Sequence, residues 1–153
     1  MLIKGIIFED FVNYKEPSLT IEFPFCSFKC GKSICQNNSL ANIPVKNVLY
    51  DDLVRYYMEN PITKAIVFQG LEPFDSRSAM YELIKTFREY TKDTIVIYTG
   101  YTEEEIAEDI EKLKKYKNII IKFGRFVPDL PSHFDEVLGV NLASSNQYAK
   151  QIC

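Results

Sequence analysis

At 153 residues and 46% hydrophobic, the chain is long enough to bury a single core and apolar enough to hold it. Eighteen Lys and Arg set against twenty-one Asp and Glu leave a formal net charge of −3, and the basic residues are scattered, which argues against a nucleic-acid binder. No apolar run approaches the ~20 residues of a membrane span, and the apolar start Met1 to Phe8 is too short for a signal peptide, with Glu9 and Asp10 following at once, so a soluble cytoplasmic protein is expected.

In chain order, Leu2 to Phe8 is apolar and β-branched around Gly5 and predicts a strand. Leu19-Thr20-Ile21-Glu22-Phe23 predicts a second, leading through Pro24 into a loop rich in cysteine. Gly31 to Val45 is polar and irregular. Tyr50 to Met58 has helical spacing through Leu53, Val54 and Tyr57, with Asp51 and Asp52 near its start. A strand–loop–helix rhythm follows. Lys64 to Phe68 predicts a buried strand, Ser76 to Tyr90 a helix with Met80, Leu83, Ile84 and Phe87 on one face, and Thr94 to Tyr98 a strand. Glu103 to Tyr116 predicts a helix, with Thr102 and Glu105 as a capping box. Asn118 to Lys122 predicts a strand, and Glu136 to Leu142 a last short one. Strands alternating with helices in one domain spanning 1–153 imply an α/β fold with a mostly parallel sheet. Ligand sites of such sheets gather beyond the carboxyl ends of the strands, so the loops after Phe23, Phe68, Tyr98 and Lys122 hold the candidates.

Those loops carry the unusual residues. The first holds Cys26, Cys30 and Cys35, with only Cys153 left over in the chain. Clustered thiols in a reducing compartment argue for metal or catalysis rather than disulfides. Three thiolates suit an iron–sulfur cluster that keeps one iron open for a substrate or second cofactor. Structural zinc needs four ligands, and neither His133, the one histidine, nor Cys153 stands at zinc-motif spacing from the triplet. His133 reads as a surface-loop residue and Cys153 as a frayed, exposed thiol. The second loop is Gln69-Gly70-Leu71-Glu72-Pro73, the third Thr99-Gly100-Tyr101-Thr102, the fourth Phe123-Gly124-Arg125-Phe126, and Ser144-Ser145-Asn146-Gln147 lies near the end. Tyr101 reads as a core or rim aromatic. Lys122 and Arg125 read equally as solvated charges or as partner contacts.

A cysteine triplet followed by a Gly-x-Glu-Pro loop resembles the radical S-adenosylmethionine enzymes. With Asp10-Phe11-Val12-Asn13, Tyr98 to Thr102, Phe123 to Phe126 and Ser144 to Gln147 in order over nearly the whole chain, it resembles the activating proteins of anaerobic (class III) ribonucleotide reductases. The resemblance implies an incomplete, open (β/α) barrel, since the chain is too short for a full barrel of ~250 residues. It implies a [4Fe–4S] cluster on Cys26, Cys30 and Cys35, with S-adenosylmethionine chelating the fourth iron. One electron then breaks the sulfonium bond, and the resulting 5′-deoxyadenosyl radical takes a hydrogen from a glycine of the reductase's catalytic subunit. The implied cofactor-binding residues are Ile34, Gln69, Gly70, Leu71, Glu72, Pro73, Thr99 and Asn146, with Glu72 accepting from the methionine ammonium and Gly70 permitting close backbone approach. Lacking a second cluster motif, the chain needs a flavodoxin- or ferredoxin-type electron donor. Three departures mark it: Cys-x3-Cys-x4-Cys where the family has Cys-x3-Cys-x2-Cys, Ile34 where an aromatic precedes the third cysteine, and Leu71 where the loop has a second glycine. A radical enzyme acting on a small molecule, such as a deazapurine synthase, and a non-catalytic iron–sulfur module are the competing functional classes.

Overall fold

The runs richest in β-branched residues become central strands, because a strand covered on both faces has no polar side to show. In the computed structural model, which describes residues 1–153, the chain opens with β1 (Leu2–Ile3), β2 (Gly5–Asp10) and β3 (Ser18–Phe23). A one-turn helix α1 (Asn38–Ala41), β4 (Lys46–Asn47) and helix α2 (Tyr50–Glu59) follow. Then come β5 (Ala65–Gly70), a 3-10 turn at Pro73–Ser76, α3 (Arg77–Tyr90), β6 (Thr94–Tyr98), α4 (Ala107–Leu113) and β7 (Ile119–Phe123). The chain closes with β8 (His133–Asp135), β9 (Val140–Leu142) and β10 (Tyr148–Gln151). No helix is long and apolar enough to cross a membrane.

Six strands make one sheet in the order β10-β7-β6-β5-β3-β2. β3, β5, β6 and β7 run parallel, β2 and β10 antiparallel at the two edges. The fold is therefore mixed α/β with a mostly parallel sheet. Phe23 lies beside Gly70, Phe68 beside Ile97, and Ile97 beside Ile121. The four parallel strands thus end nearly level, and their exit loops emerge on one side.

Strand alternation sorts the core into two layers. Ile66, Phe68, Ile95, Ile97, Ile119 and Ile121 join Leu53, Val54 and Tyr57 of α2 and Met80, Leu83, Ile84 and Phe87 of α3 in a cluster of 22 buried residues. At about 1.5–3 kcal/mol for each large side chain fully buried, this layer dominates the stability. The opposite face carries a smaller cluster of 8, with Ala65, Val67, Val96 and Ile120 beneath Leu138 and Leu142. Gln69, Tyr98 and Lys122 share the strand parity of that thinner face, at the ends where its apolar cover stops.

Several expectations are corrected. The first strand breaks at Lys4, whose buried ammonium is drawn to the carbonyls of Ala41 and, at very close range, Ile43. β1 pairs with β4 while β2 joins the main sheet. Thr102 and Glu105 do form the reciprocal box, at 2.9 and 3.4 Å, but it closes a turn and α4 begins only at Ala107. The single strand expected over 136–142 is a β8–β9 hairpin, turned where Asp135 Oδ1 accepts from the Leu138 amide at 2.9 Å. β10 has no counterpart among the expected strands. His133 is a strand residue whose Nε2 lies 2.6 Å from the Gln147 carbonyl. Cys153 is tucked against the core, its thiol donating to the carbonyls of Leu113 and Tyr116.

Candidate metal centre

The cysteine loop leaves β3 at Pro24 and is tied down from outside. Glu72 N donates to Phe25 O at 2.9 Å, and Ser27 N donates to Asp75 Oδ2 at 2.6 Å. The other oxygen of Asp75 accepts from Tyr101 Oη at 2.6 Å. At the far end Asn37 Nδ2 donates to Gly70 O at 2.8 Å. Between these ties the loop folds on itself, with Gly31 at φ +93 and short-range bonds from Gly31 N to Phe28 O and from Ile34 N to Gly31 O.

Gly70 ends β5 at φ +101, a conformation that disfavours any side chain. A Cβ there would meet Phe23 N at 2.8 Å and Glu22 Cα at 2.9 Å. The glycine is therefore required by the chain's own backbone, where β5 turns against β3. Glu72 follows, 5% exposed. Its Oε1 accepts from Thr99 Oγ1 at 2.8 Å and Phe74 N at 3.1 Å, and its Oε2 from Gly100 N at 2.9 Å. Burial pushes this carboxyl up to about 7, against the downward pull of those three donors. Lys122, also buried, donates to Gly124 O at 3.0 Å and Thr99 O at 3.5 Å and belongs to no ion pair. Burial pushes its ammonium down to about 8, while the Glu72 charge pulls it back up. Both groups face one cavity of about 300 Å³.

Cys26, Cys30 and Cys35 line that same cavity, all three free and half-buried. Burial pushes the Cys26 thiol up to about 11, and burial followed by the neighbouring Cys35 raises that of Cys30. Thiols in such surroundings stay protonated unless a bound cation stabilises the thiolate. No three His, Cys, Asp or Glu side chains converge as ligands of one metal ion. A [4Fe–4S] cluster asks something different: each thiolate binds its own iron, so three soft donors spread along a cavity wall fit it.

Of the residues expected to bind a cofactor, Gln69, Gly70, Leu71, Glu72 and Thr99 line the cavity with the cysteines. Ile34, Pro73 and Asn146 do not: Ile34 is exposed, Pro73 is buried at the start of the 3-10 turn, and Asn146 Nδ2 donates to Arg125 O at 2.8 Å. Thr99 spends its hydroxyl on Glu72 and on the Tyr101 amide, which donates to it at 3.1 Å. Tyr101 is buried, with the Lys29 ammonium 4.7 Å and the Arg125 guanidinium 5.5 Å from its ring centre. Lys122 and Arg125 are not free solvated charges, since the first is buried and the second pairs with Glu105 at 2.8 Å. Sequence reasoning missed Asp75 and Asn37, and it gave no contact to Tyr98, whose hydroxyl donates to Asn13 O at 2.6 Å. The one legible signal for Lys122 was its place in the apolar run Ile119 to Phe123, which leaves a lysine little route to solvent.

A family model described as a 4Fe-4S single cluster domain matches residues 19–148, a span containing the three cysteines and every strand from β4 to β9. Comparisons with curated proteins and with solved structures returned no match.

Proposed function

The chain belongs to the 4Fe-4S single cluster domain family, and on that premise we propose that it is a cytoplasmic radical S-adenosylmethionine enzyme that installs a glycyl radical on an anaerobic ribonucleotide reductase. Cys26, Cys30 and Cys35 would hold the cluster. When bound and reduced, the cluster supplies the electron that splits S-adenosylmethionine into methionine and a 5′-deoxyadenosyl radical.

The observation that carries this reading is the presence of a buried carboxyl, Glu72, and a buried ammonium, Lys122, on the wall of the cavity the cysteines share. A free α-amino acid head group needs an acceptor for its ammonium and a cation for its carboxylate. A carboxylate offers about four acceptor positions, and Glu72 has three filled, leaving one for an ammonium. Lys122 is a buried cation without a counter-ion, a costly arrangement that an incoming carboxylate relieves. The ionised form of Glu72 is itself costly in this burial, so a bound ammonium draws the side chain toward its charged state. Leu71 and Leu142 add apolar wall that limits water at the same place.

The helices α2, α3 and α4 all contribute to the larger core cluster, leaving the site side of the sheet without helices. That arrangement suits an incomplete open (β/α) barrel whose open side admits a partner's glycine-bearing loop. With four cysteines in all, the chain has no set for a second cluster, so a flavodoxin- or ferredoxin-type donor is assigned to deliver the electron.

Anaerobic reconstitution tests the proposal. Iron and sulfide should load, dithionite with S-adenosylmethionine should yield 5′-deoxyadenosine, and an added reductase catalytic subunit should acquire a glycyl radical signal. Cleavage stimulated by a small molecule instead would move the chain to another radical enzyme class. Loading without any cleavage would leave an electron-transfer module, and tight zinc without iron would overturn the cluster assignment.

A further inference from the structure

β2 is the outermost strand of the sheet, with no strand on its far side. Asn60 Nδ2 approaches the Phe8 carbonyl at only 3.5 Å and reaches Glu9 Oε1 at 3.2 Å. Edge strands are ordinarily blunted by charge or proline. Here Glu9 is the only exposed charge, and Ile7 and Phe8 are 39% and 50% exposed, Phe8 packing edge-on to the Tyr56 ring with centres 5.3 Å apart. The strand runs directly into Phe11 and Val12, which are 64% and 76% exposed.

That apolar turn is held rigid. Asp10, itself buried, accepts from Val12 N at 2.8 Å, Asn13 N at 3.3 Å, Asn13 Nδ2 at 2.6 Å and Thr20 Oγ1 at 2.6 Å. Burial opposes its ionisation, but these donors hold the carboxyl below its usual value. Tyr98 grips the next carbonyl, Asn13 O. A buried carboxylate satisfied by four donors thus fixes a turn whose two apolar side chains stay mostly exposed. Val12 and Asn13 also form part of the cavity wall, so the turn that follows the open edge reaches the site.

We propose that the free edge of β2 and the braced Phe11–Val12 turn form a docking track for an extended polypeptide segment of the partner. The segment adds to the sheet as a further strand and continues over Val12 and Asn13 into the cavity. This inference rests on the reading that the substrate is a protein, and it names where that protein is gripped. A polypeptide is favoured because it brings both a backbone to pair with β2 and a backbone carbon to present inside.

The test uses the full chain, reconstituted, with the purified catalytic subunit of an anaerobic ribonucleotide reductase as probe. Amide exchange read by mass spectrometry should slow about tenfold or more over residues 5–13 when the subunit is added. Ile7→Lys and Phe11→Asp should each weaken subunit binding about tenfold, in line with the loss of one apolar contact, while S-adenosylmethionine cleavage without the subunit stays unchanged. Binding that leaves β2 unprotected and both variants at wild-type affinity overturns the track but not the enzyme. Protection that grows with protein concentration alone, with dimers in sedimentation, assigns the edge to a second copy and also overturns it. Cleavage of S-adenosylmethionine with no subunit binding by the wild type removes the protein-substrate reading and the track together.

Discussion

Replacing Glu72 by glutamine isolates the cost of charging a buried acid. In the folded chain the carboxyl is pushed from 4.5 to about 7, chiefly by burial. Between those two values the folded state holds a proton that the unfolded state has released, so stability falls as pH rises. At 1.36 kcal/mol per pH unit the wild type loses about 3 kcal/mol across that window. The Glu72→Gln variant has no carboxyl to ionise there and loses none of it. Its amide does set an NH2 group against one of the donors now serving Glu72, costing about 1–3 kcal/mol. That penalty is the same at every pH, so it offsets the curves without changing their slopes. Urea unfolding of the metal-free, reduced protein, followed by far-UV circular dichroism at several values between pH 4.5 and 7, gives the comparison; a tryptophan signal does not exist in this chain. The gap between variant and wild type should move by about 3 kcal/mol in the variant's favour over that range. A gap constant to within about 0.5 kcal/mol would refute the argument that burial, and not the three hydrogen bonds, sets the ionisation of Glu72.

Gly70→Ala should cost about 2–4 kcal/mol in the same unfolding assay, because positive φ and a backbone clash act together; wild-type stability with weakened S-adenosylmethionine binding would show that the glycine serves the ligand instead. Asp75→Asn weakens the ties to Ser27 N and Tyr101 Oη, so amide exchange over residues 26–30 should quicken about tenfold with little global loss; unchanged exchange there would mean that the loop is held by other contacts. Lys122 is driven down to about 8, so the folded state sheds its proton before the unfolded state does, and its contribution to stability rises between about pH 8 and 10. The raised thiols of Cys26 and Cys30 act in the opposite direction in both proteins, so the gap between wild type and Lys122→Met should move in the wild type's favour over that range, and a constant gap would exclude Lys122 as a source of pH dependence. Cys30→Ala should leave reconstituted protein with little bound iron and sulfide, and full loading would remove Cys30 from the ligand set.

The parallel centre of the sheet was readable because Ile66, Val67, Ile95, Val96 and Ile119 to Ile121 make near-continuous apolar runs that no surface strand tolerates. The cysteine loop and the segment Gln69 to Pro73 stood out because their residue types have few uses. The structure brings the three cysteines and Gln69 to Glu72 to one cavity, with Gln69 and Gly70 ending β5 and Pro73 outside the cavity. What escaped depended on partners distant in sequence. β10 is short and polar outward, and its place is set by pairing Tyr148 with Phe123 across the sheet. Lys4 breaks the first strand because Ala41 and Ile43 wait for its ammonium, which local pattern does not reveal. Gly70 was readable as special from its type, while the crowding from Phe23 and Glu22 of β3 that requires it comes from residues distant in sequence. Lys122 was ambiguous because a lysine closing an apolar strand looks the same whether it snorkels out or stays in.

The cysteine loop is bolted at both ends and slack in the middle, with Ser27 fixed by Asp75, Asn37 fixed to Gly70, and the residues between them bonded mainly to one another. The four residues between Cys30 and Cys35 fall within that slack, where lengthening a loop is thermodynamically cheap. The interval from second to third sulfur is thus a poor ruler for finding kin of this chain. Searching for the two bolts would recover cousins whose thiols are counted out differently.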